Sequence, residues 1–135
     1  MAMVKRMMSL LLICAVLLGC DSFPGPTLRN EFPTEIKVSI IYGDGTKYSE
    51  TWPSCRTVSV GASELGRFGA RSKEVGIDRI VVEVENKVEI NLNKEAIDKL
   101  LERSTKEKGY LVWVLDGSGI HFSTHRECSL NQGGQ

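Results

Sequence analysis

From Ile36 onward the chain alternates with a period of two. Ile36, Val38 and Ile40 fall between Lys37 and Ser39, as on a half-buried strand, and Ile41 and Tyr42 extend the run. Gly43-Asp44-Gly45 offers a tight turn, Thr46 to Trp52 forms a returning arm, and Pro53 ends it. Arg56 to Val60 reads as a short strand with Val58 and Val60 on one face. A second hairpin follows in Ile80 to Glu85, which is dense in β-branched residues. Asn86-Lys87 makes its turn, and Val88, Ile90 and Leu92 alternate with Glu89 and Asn91. A third is formed by Tyr110 to Leu115 and Ile120 to Thr124 around the loop Asp116-Gly117-Ser118-Gly119.

Between the second and third hairpins the period changes. Ala96, Ile97, Leu100 and Leu101 lie on one side at helical spacing. Asn93 stands at the N-cap, and Glu95 lies in the first turn, where the helix dipole favours negative charge. Lys106 and Lys108 lie near the C-terminal end, and Gly109 supplies a left-handed stop. Gly61 to Gly76, with further glycines at 66 and 69, carries no regular pattern beyond a short turn from Glu64 to Phe68 capped by Ser63. Pro24, Gly25, Pro26 and Pro33 block helix and ladder in Asp21 to Pro33, which reads as a tether able to lift a domain ~30 Å when extended. One helix cannot separate parallel strands throughout. The pattern therefore predicts an α+β fold: a mainly antiparallel sheet of five to seven strands, with one main helix packed on one face through Ile97, Leu100 and Leu101. The single domain spans 34–130, with 20–33 as tether and 131–135 as a frayed tail.

The first 20 residues follow another logic. Lys5 and Arg6 form a basic region, Met7 to Leu18 an apolar one, and Gly19 is the small residue before a cut. Cys20 follows directly. This Leu17-Leu18-Gly19-Cys20 arrangement resembles the signal of bacterial lipoproteins, although Leu18 stands where the family often has a smaller residue. The resemblance implies removal of residues 1–19 by signal peptidase II and lipidation of the Cys20 sulfur. It further implies two or three acyl chains holding the protein to a cell-envelope membrane, with the domain facing the periplasm or the outside. The readings set against it are a spanning helix, for which the run is shorter than the ~20 residues required, and an ordinary secretory signal, which differs only at Cys20.

Without residues 1–19 the chain has 116 residues, enough for one domain, with 15 basic against 17 acidic side chains. A weakly acidic chain with no basic stripe excludes a nucleic-acid partner on electrostatic grounds. Cys14 leaves with the signal and Cys20 takes lipid. Cys55 and Cys128 remain as an even pair in an exported, oxidising context, which predicts a disulfide. It closes a loop of about 74 residues and restricts the unfolded chain by about 4 kcal/mol. A thiol or metal-ligand role is the alternative for these two.

Candidate chemistry is sparse. His121, Ser123 and His125 share one face on a strand, opposite Ile120, Phe122 and Thr124. A solvent-facing polar face is the ordinary reading, and two histidines about 7 Å apart begin a metal site that still lacks a third ligand. Ser123, His125 and Asp116 can be grouped as a hydrolytic triad on paper, but no Gly-x-Ser-x-Gly elbow accompanies them. Glu83, Glu85 and Glu89 lie on adjacent arms of one hairpin, where an exposed charged edge is the ordinary reading. Arg67, Arg71 and Lys73 in the glycine-rich stretch lack phosphate-loop spacing and remain a basic segment able to touch headgroups or a partner. Trp113 reads as core. Trp52 either packs over the disulfide or anchors a partner, so Trp52, Arg67 and Arg71 are the candidate partner contacts. No cofactor is implied. The sequence predicts a lipid-anchored, non-enzymatic binding module that acts on an envelope protein as accessory factor or inhibitor. A metal-binding protein or small hydrolase using His121 and His125 is the alternative.

Overall fold

A computed structural model describes residues 25–61 and 76–132. The signal segment, Cys20, the turn capped by Ser63, the basic residues Arg67, Arg71 and Lys73, and positions 133–135 lie outside the described residues. Among those described there are eight strands: β1 (Thr27–Asn30), β2 (Ile36–Tyr42), β3 (Lys47–Trp52), β4 (Thr57–Ser59), β5 (Ile77–Val84), β6 (Lys87–Leu92), β7 (Val112–Asp116) and β8 (Gly119–Ser123). The main helix, α1, spans Lys94–Ser104, and a single turn, α2, spans Ser129–Gln132.

The α+β class holds, but the strands form two four-stranded sheets rather than one sheet of five to seven strands. The first has the order β4-β1-β7-β8 and the second β3-β2-β5-β6. β1 and β7 run parallel, and the other pairings are antiparallel. Alternation sends Ile36, Val38, Ile40 and Tyr42 inward from the second sheet, where they share one core cluster with Leu28, Trp113 and Leu115 of the first. The helix lies on β5 and β6. It buries Ile97 fully, with Leu100 and Leu101 half-buried against the same core.

The principal correction concerns the tether. Thr27–Asn30, inside the stretch read as flexible, is a strand between β4 and β7 in the first sheet. Order extends further back. The Val60 amide donates to the Pro26 carbonyl at 3.0 Å. A Cβ on Gly25 would lie 2.2 Å from Gly61 Cα, so the two backbones are in close apposition. Pro26 is tolerated because it stands at the entry to the strand, where its missing N–H costs no ladder bond. At the other end, the stretch read as a frayed tail begins inside α2.

Two smaller differences have local causes. The turn of the second hairpin is Glu85-Asn86, not Asn86-Lys87, and both residues have positive φ (52° and 65°), as a two-residue turn with right-handed strand twist requires. A bulge shifts the register between Val82 and Glu83, so Val88 opposes Glu83 and stays exposed while Ile90 is buried opposite Val82. The helix caps as predicted, with the Ala96 amide donating to Asn93 Oδ1 at 2.9 Å, but it stops at Ser104 instead of running to Gly109. Ser104 Oγ donates to the Leu101 carbonyl and Thr105 Oγ1 to the Glu102 carbonyl, which closes the last turn. Gly109, at φ +91°, serves the loop into β7.

Candidate functional site

The strands give the sandwich two ends. At the near end, where β1 begins, are Gly25, Gly61, the Tyr42–Thr46 turn and Gly76. Tyr42 Oη donates to the Val60 carbonyl at 2.8 Å, joining the two sheets there, and the Gly43 amide donates to the Gly76 carbonyl at 2.9 Å within the second sheet. The far end, where β1 finishes, gathers the Pro53–Arg56 loop, the Glu85-Asn86 turn and the Asp116–Gly119 turn.

Buried polar residues bind the far end together. Asn30 is fully buried. Its Nδ2 donates to the carbonyls of Thr34 and Trp52, both at 3.1 Å, and its Oδ1 accepts from the Phe32 amide at 2.8 Å. The Cys55 amide donates to the Asn30 carbonyl at 2.7 Å, and Cys55 itself is held at φ +68°. Cys55 is joined to Cys128 by a disulfide with Cα atoms 5.5 Å apart, as the even cysteine count predicts.

The disulfide holds one end of a strap. After β8 the chain turns back over the outer face of the first sheet. Arg29 Nη1 donates to the carbonyls of His125 (3.0 Å) and Arg126 (3.2 Å), and its Nη2 lies 3.0 Å from Glu31 Oε2. Glu31 Oε1 accepts from the Ser129 amide at 2.9 Å and from the Ser129 hydroxyl. The Arg126 guanidinium lies over the Tyr110 ring at 4.5 Å. Val112 and Val114, which alternation sends outward from β7, are buried on the face this strap crosses. Burial on its own would push the Glu31 carboxyl up. The Ser129 hydrogen bonds and the Arg29 bond and charge outweigh it together and hold the group below its ordinary value.

Beside this hub, on the second sheet, a cleft of about 430 Å³ opens between Thr34, Glu35, Lys37, Thr51, Glu83 and Glu85. Lys37 Nζ stands 3.9 Å from Glu83 Oε2, a loose pair at the surface. Three carboxylates against one ammonium give the cleft a negative character. Glu83 and Glu85 thus enter a recess with Glu35, a residue the sequence reading did not single out.

The other candidates separate. Trp52, carried as a partner contact, is 0% exposed. Its ring belongs to the core and its Nε1 donates to Tyr48 Oη at 3.1 Å, so it offers no surface to a partner. Trp113 is core, with its ring 5.8 Å from that of Phe122. His121 is 49% exposed at its side chain, with Nε2 2.8 Å from Asp116 Oδ2. Asp116 also accepts from the Ser118 amide and hydroxyl, a turn-closing arrangement. β8 ends at Ser123, so His125 does not continue the strand face of His121. Ser123 Oγ accepts from the His125 amide, and Asp116 pairs with His121, so the grouping Ser123, His125 and Asp116 is not assembled. Among the described residues no three His, Cys, Asp or Glu side chains are grouped closely enough to hold a metal ion.

No protein-family model, no curated protein and no solved structure matches the chain.

Proposed function

We propose that this protein is a bacterial envelope lipoprotein, held to the membrane by acyl chains on Cys20. Its disulfide-clasped sandwich binds another envelope protein as an accessory factor or inhibitor. The observation that carries the reading is the Leu17-Leu18-Gly19-Cys20 signal behind Lys5 and Arg6. The Cys55–Cys128 disulfide supports it, because such bonds persist on the oxidising side of a membrane. The hub around Asn30, Arg29 and Glu31 makes the far end a rigid platform, and the acidic cleft beside it is the recess a partner would meet.

The test is affinity capture from detergent-solubilised envelopes with the full lipidated chain as bait. One stoichiometric protein partner, lost on Glu83→Lys with Glu85→Lys, supports the reading. The alternative is a metal-binding role for His121 and His125, for which the described residues offer only the His121–Asp116 pair at 2.8 Å. Absence of any protein partner, with stoichiometric zinc lost on His121→Ala, contradicts the binding-module reading in favour of that one.

A further inference from the structure

The near end of the sandwich is where the chain arrives from Cys20, and the distance available is short. Only Asp21, Ser22, Phe23 and Pro24 separate Cys20 from Gly25. Gly25 is already fixed against Gly61, and Pro26 is bonded to Val60. Whatever path those four residues take, five Cα steps reach at most about 17 Å. The strands then carry the chain away from that point. β2 alone, with seven residues, spans about 23 Å between the two ends.

We infer that the near end of the domain lies against the lipid surface and that the far end points away from it. This rests on the proposed lipidation of Cys20. The membrane-facing surface is then the rim formed by Gly25–Thr27, Ser59–Gly61 and the Tyr42–Thr46 turn. The far end, with the acidic cleft, the Cys55–Cys128 bond and the Asp116–Gly119 turn, stands about one strand length further out. The sequence-based tether of about thirteen residues would have left the domain free to present any side. A tether of four residues does not, because turning the far end to the membrane would require the body of the domain to occupy the space of the bilayer. The orientation is a consequence of chain length and attachment point, and it needs no affinity of the rim for headgroups. It presents the cleft to partners approaching from the aqueous side, and it limits the height of the partner's contact surface to about one strand length plus the ~17 Å reach of the link.

The test uses the full lipidated chain in vesicles of phosphatidylethanolamine and phosphatidylglycerol that carry a spin-labelled headgroup lipid. A fluorophore is attached at Lys47→Cys, an exposed position at the near end, or at Gly117→Cys, where an added side chain meets nothing within 4 Å at the far end. Quenching several-fold stronger at 47 than at 117 is the expected result. Inserting a flexible segment of about twenty Gly and Ser residues after Asp21 should remove most of that difference. Equal quenching at 47 and 117 in vesicle-bound protein overturns the orientation and leaves the lipid anchor standing. Failure of the protein to bind vesicles, matched by a Cys20→Ser variant, overturns the anchor itself and the orientation with it.

Discussion

Arg29 and Glu31 stand two residues apart on and just after β1, with Nη2 and Oε2 3.0 Å apart and side chains only 2% and 5% exposed. Neither is a surface pair that salt would screen. Each spends its remaining hydrogen-bonding capacity on the returning C-terminal strap, through His125, Arg126 and Ser129. Replacing Glu31 by Leu leaves the Arg29 charge buried without its counter-ion. The expected cost is about 3–5 kcal/mol, read as a lower urea midpoint. A loss below about 1 kcal/mol, typical of exposed pairs, would show that the strap is held by other means.

The same pair sets a pH dependence. The Glu31 carboxyl is held below its ordinary value in the folded protein. A depressed folded value means that the contribution is fully present above the unfolded value of about 4.3 and is lost as pH falls through the lower folded value. Wild-type stability should therefore fall below about pH 4 more steeply than that of Glu31→Gln. Parallel curves for the two proteins would contradict the assignment.

Cys55 and Cys128 are 73 residues apart in sequence. Loop entropy gives the bond a worth of about 4 kcal/mol, so the double variant Cys55→Ser with Cys128→Ser should unfold at lower urea by about that amount. Hydrogen exchange should rise in the slowest amides of β2 and β5 by the same free energy, because the released entropy belongs to the unfolded chain. Core exchange unchanged from wild type, with acceleration confined to 124–132, would mean that the bond holds only the strap.

Gly25 and Gly61 meet backbone to backbone. Gly25→Ala puts a methyl 2.2 Å from Gly61 Cα, where no flexible side chain can give way. Overpacking of this kind costs about 1–3 kcal/mol, and the strain falls on the entry to β1. Thermal unfolding that matches wild type would show that the chain is not fixed until Thr27, and would lengthen the tether accordingly.

Three hairpins and the helix are legible in the sequence because their stabilisation is local or apolar. Ile36, Val38 and Ile40 alternate, and Asn93 caps its own helix. β1 is hidden because Leu28 is its only large apolar residue. Its neighbours Arg29 and Asn30 are buried with partners of which Glu31 and Thr34 are near in sequence, but Trp52, His125 and Arg126 lie outside any window around position 29. The prolines at 24, 26 and 33 then point to a linker, although Pro26 needs only its carbonyl for the ladder. Trp52 is ambiguous for the same kind of reason. It is buried in the core cluster that both sheets supply, and its Nε1 partner is the Tyr48 hydroxyl. The acidic cleft is illegible because it joins Glu35 to Glu83 and Glu85 across β2 and β5.

The central claim is that Cys20 carries the lipid that holds this sandwich at a membrane. The most direct measurement is fractionation of cells expressing the wild type or Cys20→Ser, with the mass of the mature N-terminal peptide determined in parallel. The account predicts wild type in the membrane fraction with an N-terminal peptide beginning at acylated Cys20, and Cys20→Ser lacking both the acyl mass and the membrane association. An unmodified Cys20, or a Cys20→Ser protein still bound to membranes, would contradict it.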